Sequence, residues 1–73
     1  MATSQVQLLD VVALTADIPE KLLMRGQVGT VVDILSPGRY EVEFSDDEGH
    51  TYAQAALGGD QLLVLRYQPQ QAA

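Results

Sequence analysis

The side chains best suited to chemistry lie in one short acidic segment. The single histidine, His50, follows Asp46, Asp47 and Glu48, and imidazole and carboxylate groups serve as metal ligands and proton carriers. Adjacent residues on a hairpin alternate between its faces, and this spacing matches no known calcium or zinc loop. We therefore interpret the segment as a solvated acidic turn, and we expect neither a metal site nor a cofactor.

Nucleophilic catalysis has little support in the sequence. The chain has no cysteine, and a serine nucleophile needs a base within reach. Ser36 and Ser45 fall in a predicted turn and at a predicted strand end, with no catalytic motif around either. We predict no catalytic residue and a protein that is not an enzyme.

The net charge of the chain limits the classes of molecule that it can bind. The 73 residues include 4 Lys and Arg against 10 Asp and Glu, for a net charge of -6. This balance repels nucleic acid and anionic membranes and suits a basic protein partner. No apolar run approaches the roughly 20 residues of a membrane span, and residues 1–7 lack the features of a secretory signal. We expect a cytoplasmic protein.

A predicted β-hairpin forms the centre of the fold, and the acidic segment follows its second strand. Residues 28–35 are β-branched and apolar, Ser36-Pro37-Gly38 is typical of a tight turn, and residues 40–45 alternate apolar and charged side chains. Further strands are predicted at residues 6–15, 50–56 and 62–67, with a 3₁₀ turn at 57–61 before the last. A long loop, residues 15–25, follows the first strand, and its Leu22, Leu23 and Met24 are expected to fold over the core.

Five short strands joined in this way predict an all-β fold, a small SH3-like barrel. The domain is predicted at residues 6–67, between a flexible tail at 1–5 and a disordered tail at 68–73. The predicted core, chosen for inward-facing positions on the strands, is Val12, Leu14, Val28, Val32, Ile34, Tyr40, Val42, Phe44, Leu57, Leu62 and Val64.

The first and last strands carry apolar side chains on both faces, unlike residues 40–45. Because these strands are neighbours in an SH3-like barrel, their outward residues form one patch, and such a patch seldom stays exposed on a monomer. We predict a homodimer through this patch, with a loop that covers it within one chain, residues 16–24, as the alternative. The predicted interface is Leu9, Val11, Ala13, Leu63, Leu65 and Tyr67, with Tyr52 added because a tyrosine can bury its ring and keep its hydroxyl in water.

Four phrases carry a family resemblance: DVVALT at 10–15, RGQVGTVV at 25–32, YEVEF at 40–44 and DQLLVL at 60–65. Together they resemble a family of small bacterial proteins known only as a domain of unknown function. The resemblance implies an interaction module, such as an antitoxin-like or accessory partner of a neighbouring gene's product.

Two weaker resemblances imply other functions. The phrase RGQVGTVVDIL at 25–35 is similar to the KOW segment of ribosomal and transcription proteins, which contacts RNA or protein, and this implies an RNA- or ribonucleoprotein-binding module. Only Arg25 represents the basic residues that flank the segment in RNA binders. The length and strand order resemble type II dihydrofolate reductase, a tetrameric enzyme. When the tyrosine of that family is aligned with Tyr52, His50 stands where it has a glutamine.

Overall fold

Five antiparallel strands form one sheet in the computed structural model, which describes residues 6–66. They are β1 (Val11–Leu14), β2 (Val28–Ser36), β3 (Arg39–Ser45), β4 (Thr51–Gly58) and β5 (Leu62–Val64). Short 3₁₀ helices, Pro19–Lys21 and Gly59–Gln61, precede β2 and β5. The sheet order is β4-β3-β2-β1-β5. The all-β prediction is confirmed, but the described sheet is not closed into a barrel, because β4 and β5 are its two edges.

The β2–β3 hairpin forms as its sequence predicts. Gly38 has φ of +82° in the tight turn, a conformation that glycine adopts without steric cost. On β3, Val42 and Phe44 are completely buried, and Glu41 and Glu43, which alternate with them, point to the opposite face. Strict alternation therefore positioned the strand correctly.

The core occupies the inner face of the sheet. Six predicted core residues are buried there, and Tyr40 and Val64 pack partly buried against them. The buried residues also include four that the pattern did not predict: Ile18, Leu23, Val31 and Ala55.

Three predicted core residues were wrong. Val28, Val32 and Ile34 are exposed on β2, whose inward residues are Gly29 and Val31. The β2–β3 register shifts between Val31 and Asp33, where Val32 is an extra residue. Such a bulge breaks the alternation of faces, so one parity cannot describe the whole strand.

The predicted first strand, residues 6–15, was too long. The chain turns at Leu9, which has φ of +71°, and β1 begins only at Val11. Asp10 closes the turn, since its Oδ2 accepts the Gln7 N–H at 2.8 Å. The N–H of Leu9 and the C=O of Asp10 both bond to Val31 on β2.

The loop after β1 covers the core with fewer residues than predicted. Ile18 and Leu23 form an antiparallel bridge, and both are buried. Leu22 lies between them at φ of +58° with 89% of its surface exposed, and Met24 is also exposed. Of the three residues expected to fold over the core, only Leu23 does so.

The later boundaries also differ from prediction. β4 runs to Gly58, so Leu57 belongs to the strand and the 3₁₀ turn begins at Gly59. β5 ends at Val64, shorter than the predicted 62–67. The predicted tails, 1–5 and 68–73, and residue Tyr67 lie outside the described residues.

Candidate functional site

Four of the predicted interface residues lie together on the outer face of the sheet. Ala13 on β1 is the register partner of Leu63 on β5. The N–H of Leu65 donates to the C=O of Val11 at 2.9 Å, which places this pair beside the first. The inward neighbours Val12 and Leu14 are buried, so Val11 and Ala13 point outward. These four residues therefore adjoin across β1 and β5, and their role as an interface stays a prediction.

A fifth apolar residue joins this group from β2. Val28 is the register partner of Ala13, so Val28, Ala13 and Leu63 form one row across three strands. Val28 is 44% exposed and Leu63 is 58% exposed. We call the five residues the outer patch: Val11, Ala13, Val28, Leu63 and Leu65. Sequence reasoning missed Val28 because it assigned the residue to the core.

Leu9 and Tyr52 lie elsewhere. Leu9 bonds to Val31, on the β2 side of β1, whereas Leu63 and Leu65 flank the other side. The ring of Tyr52 lies 6.4 Å from that of Phe44, and its hydroxyl accepts a hydrogen bond from Gln27 Nε2. Tyr67, the remaining predicted interface residue, lies outside the described residues.

The acidic segment forms a tight turn between β3 and β4. Asp46 Oδ1 accepts the backbone N–H groups of Glu48 and His50, each at 2.9 Å. Gly49 has φ of +85°, as expected for this hairpin. His50 Nδ1 lies 3.6 Å from both Asp46 Oδ2 and Glu48 Oε1, and all three side chains are exposed.

The turn brings these groups closer than face alternation suggested. One ligand atom from each of Asp46, Glu48 and His50 lies within 4.8 Å of the others. Two carboxylates and an imidazole are chemically able to hold a divalent cation. The position of Asp46 is already explained by the two backbone hydrogen bonds that close the turn, so the cluster needs no ion to account for its geometry.

A cleft of ≈ 320 Å³ opens beside the buried bridge of the long loop. Its lining residues are Asp17, Pro19, Leu22, Leu23 and Met24. Hydrogen bonds fix the loop: Asp17 Oδ1 accepts the Arg25 N–H at 2.8 Å, and Gln27 Oε1 accepts the Met24 N–H at 2.6 Å. The lining is mostly apolar, with no convergent set of polar groups for catalysis.

A second part of the outer face is acidic. Glu41 is the register partner of Asp33 on β2, and Glu43 follows on the same face of β3. Like charges opposite each other on neighbouring strands repel. Among residues 6–66, none of these three carboxylates takes part in an ion pair. The outer face therefore has an apolar part at β2-β1-β5 and an acidic part at β2-β3.

The comparisons with known proteins identify the family. The model of a family described as a domain of unknown function, DUF4926, matches residues 8–64. The chain belongs to the DUF4926 family. The match spans all five strands and confirms the predicted resemblance to an uncharacterised domain family.

The other comparisons add no relative for this DUF4926 domain. Searches of curated proteins and of solved structures found no match. Within the described residues, no helix has the length and apolar character needed to cross a membrane.

Proposed function

We propose that this DUF4926 protein is a non-enzymatic interaction module that forms a homodimer through the outer patch and offers its acidic surface to a basic protein partner. The observation that carries the proposal is the row of Val28, Ala13 and Leu63 across three strands of the outer face. Apolar residues that are contiguous and exposed mark interaction sites more often than isolated ones do.

A second copy of the chain is the occupant that suits the outer patch. The patch contains no charged residue. Two copies, each with a net charge of -6, can therefore meet there without placing like-charged side chains against each other. A two-fold contact requires a surface that complements itself, and an uncharged apolar row meets this requirement. Burial of the patch adds apolar area to a small domain, which gains little from its core alone.

The contribution of Leu63 to the free energy of dimerisation can be estimated from its exposure. Burying a whole leucine side chain contributes about 1.5–3 kcal/mol, and Leu63 is 58% exposed. Its remaining burial in a dimer is thus worth about 1–1.7 kcal/mol per copy, or about 2–3.5 kcal/mol for both. The Leu63→Glu change should weaken dimerisation by roughly 30- to 300-fold.

Light scattering on a size-exclusion column tests this function. The native chain should show a dimer mass at micromolar concentration, and Leu63→Glu should show a monomer mass. Leu22→Glu is the matched control, because Leu22 is a more exposed leucine outside the outer patch. A native monomer refutes the dimer, and a dimer that survives Leu63→Glu places the interface elsewhere.

The basic protein partner follows from charge complementarity. Glu41 and Glu43 are unpaired within residues 6–66, so a cationic surface would gain attraction there without breaking an existing ion pair. Pull-down from the native cell tests this point, with the product of a neighbouring gene as the first candidate. Recovery of RNA instead of protein would contradict it.

A further inference from the structure

The outer edge of β4 is open in the described part of the chain. β4 pairs with β3 on one side, and residues 6–66 provide no strand on its other side. The strand has 8 residues, about 26 Å at the usual rise of a strand. An open edge of this length presents backbone donors and acceptors to any extended chain that approaches.

The register identifies the backbone groups at this edge. Gly59 N–H donates to Gly38 C=O, and the β3–β4 register continues in step from Arg39↔Gly58. Hydrogen-bonded and non-hydrogen-bonded pairs alternate along antiparallel strands. It follows that Ala55 bonds toward β3, whereas Gln54 and Ala56 direct their N–H and C=O groups to the open edge.

β4 lacks the features that usually protect an edge. Natural edge strands carry charged residues, proline or bulges that prevent pairing with other chains. The β4 sequence, TYAQAALG, contains no charged residue and no proline. Its register irregularity lies near its start, between the pairs of Phe44 and Ser45, and leaves the rest of the strand regular.

The acidic part of the outer face lies next to this edge. Glu41 is the register partner of Ala56, and Glu43 is the register partner of Gln54. A strand added beside β4 would lie two strand spacings from β3, about 10 Å. Lysine and arginine have long stems that can cross such a distance, and the small Ala56 leaves the way open.

We propose that β4 accepts an extended basic segment of the partner protein as a sixth strand, with Lys or Arg at alternate positions over Glu41 and Glu43. This inference rests on the proposed function and specifies how the basic partner binds. Backbone hydrogen bonds to Gln54 and Ala56 hold the segment, and the two carboxylates select its charge.

A second copy of β4 fits the edge less well. Two β4 strands side by side would supply backbone hydrogen bonds but no cation. Both sets of Glu41 and Glu43 would remain unneutralised on one face, about 14 Å apart across three strand spacings. A basic strand satisfies the backbone and the carboxylates together.

Peptide binding to the full chain tests the inference. The probe is a short capped peptide that alternates lysine and valine, and its control alternates lysine and proline, which keeps the charge but cannot pair as a strand. We expect the first peptide to bind at least about tenfold more tightly, because the control loses backbone hydrogen bonds. Equal affinity, or no binding of the lysine-valine peptide, would overturn the inference.

Two variants locate the site. Ala56→Lys places a cation at the edge, opposite Glu41, and should weaken binding of the lysine-valine peptide about tenfold or more. Ala16→Lys adds the same charge at an exposed loop residue and should leave the affinity nearly unchanged. Equal effects of the two variants would show attraction by net charge alone and overturn the proposed position.

Hydrogen exchange reports on the edge directly. In the free chain, the Gln54 and Ala56 N–H groups should exchange faster than that of Ala55, and the lysine-valine peptide should slow both. Protection of both in the free chain would show that the edge is already covered and would refute the inference. A dimer that fails to bind the peptide refutes only this mode of binding, whereas a monomeric native chain refutes the proposed homodimer.

Discussion

Replacement of Gly29 by alanine should destabilise the sheet at its centre. Gly29 lies on β2 between its register partners Val12 on β1 and Phe44 on β3. A Cβ at this position would lie 2.7 Å from Val42 Cγ1, 2.9 Å from Phe44 Cδ2 and 2.9 Å from the Glu43 carbonyl oxygen. Val42 and Phe44 are both completely buried, so neither ring nor methyl group has free space into which to move.

The expected change in the free energy of unfolding of Gly29→Ala is the balance of two opposing effects. Alanine in a strand interior is ordinarily more stable than glycine by about 0.5–1 kcal/mol, because glycine loses more backbone entropy on folding. Forcing an extra methyl group into a packed core costs about 1–3 kcal/mol. At distances below 3 Å to backbone and to immobile side chains the second effect should dominate, and we expect a net loss of about 1–2 kcal/mol. For a domain of this size that lowers Tm by roughly 4–16 °C.

Thermal and urea unfolding of the purified variants measure this loss. All samples need the same chain concentration, because the Tm of a dimer depends on concentration. Gly59→Ala is the matched control, since a Cβ at Gly59 meets Tyr40 Cε2 at 3.5 Å, an ordinary contact. The control should match or slightly exceed the native stability. If Gly29→Ala is as stable as Gly59→Ala, the reasoning from close approach is wrong.

Two further predictions concern the acidic turn and the rival enzyme. Asp46→Ala should lower the free energy of unfolding by about 1 kcal/mol, because two backbone N–H groups lose their acceptor, whereas Asp47→Ala should change it by less than about 0.5 kcal/mol in thermal unfolding. The native chain should not oxidise a reduced nicotinamide cofactor in the presence of dihydrofolate. Turnover that disappears in Tyr52→Phe would contradict the proposal of a non-enzymatic protein.

The sequence was most informative where apolar and charged residues alternate. On β3, Val42 and Phe44 alternate with Glu41 and Glu43, so only one register buries the apolar residues without burying charge. The turns on either side contain Gly38 and Gly49, both with positive φ. Pattern and turn chemistry agree there, and the hairpin follows from them.

On β2 the same reasoning failed for a physical reason. Residues on both of its faces are apolar, so hydropathy does not distinguish the inward set from the outward set. Gly29 lies on the inner face but has no side chain, so it does not contribute to a hydropathy pattern. After the bulge at Val32, the alternation of inward and outward residues shifts by one position. The available signal was the glycine itself, which marks close approach of neighbouring strands.

The predicted bounds of the first strand were wrong for a different reason. The turn at Leu9 has no glycine or proline, and a leucine with positive φ is uncommon. Its closure depends on the Asp10 carboxylate and on two hydrogen bonds to Val31, a residue far away in sequence. Local propensity therefore favoured a longer strand, and tertiary hydrogen bonding ended it.

Val28, which was wrongly predicted to lie in the core, is relevant to the proposed function. A small sheet with one core has no structural need for apolar side chains on its outer face, yet Val28 joins Ala13 and Leu63 there. Glu43 lies on that same face, in register with Thr30 on β2 and Gln54 on β4. One face thus changes from apolar near β5 to acidic near β4, and these strands are opposite edges of the sheet. In the proposed homodimer, the second copy covers the apolar part and leaves the acidic part and the β4 edge accessible, so the proposed self-association and the proposed partner binding do not compete for one surface.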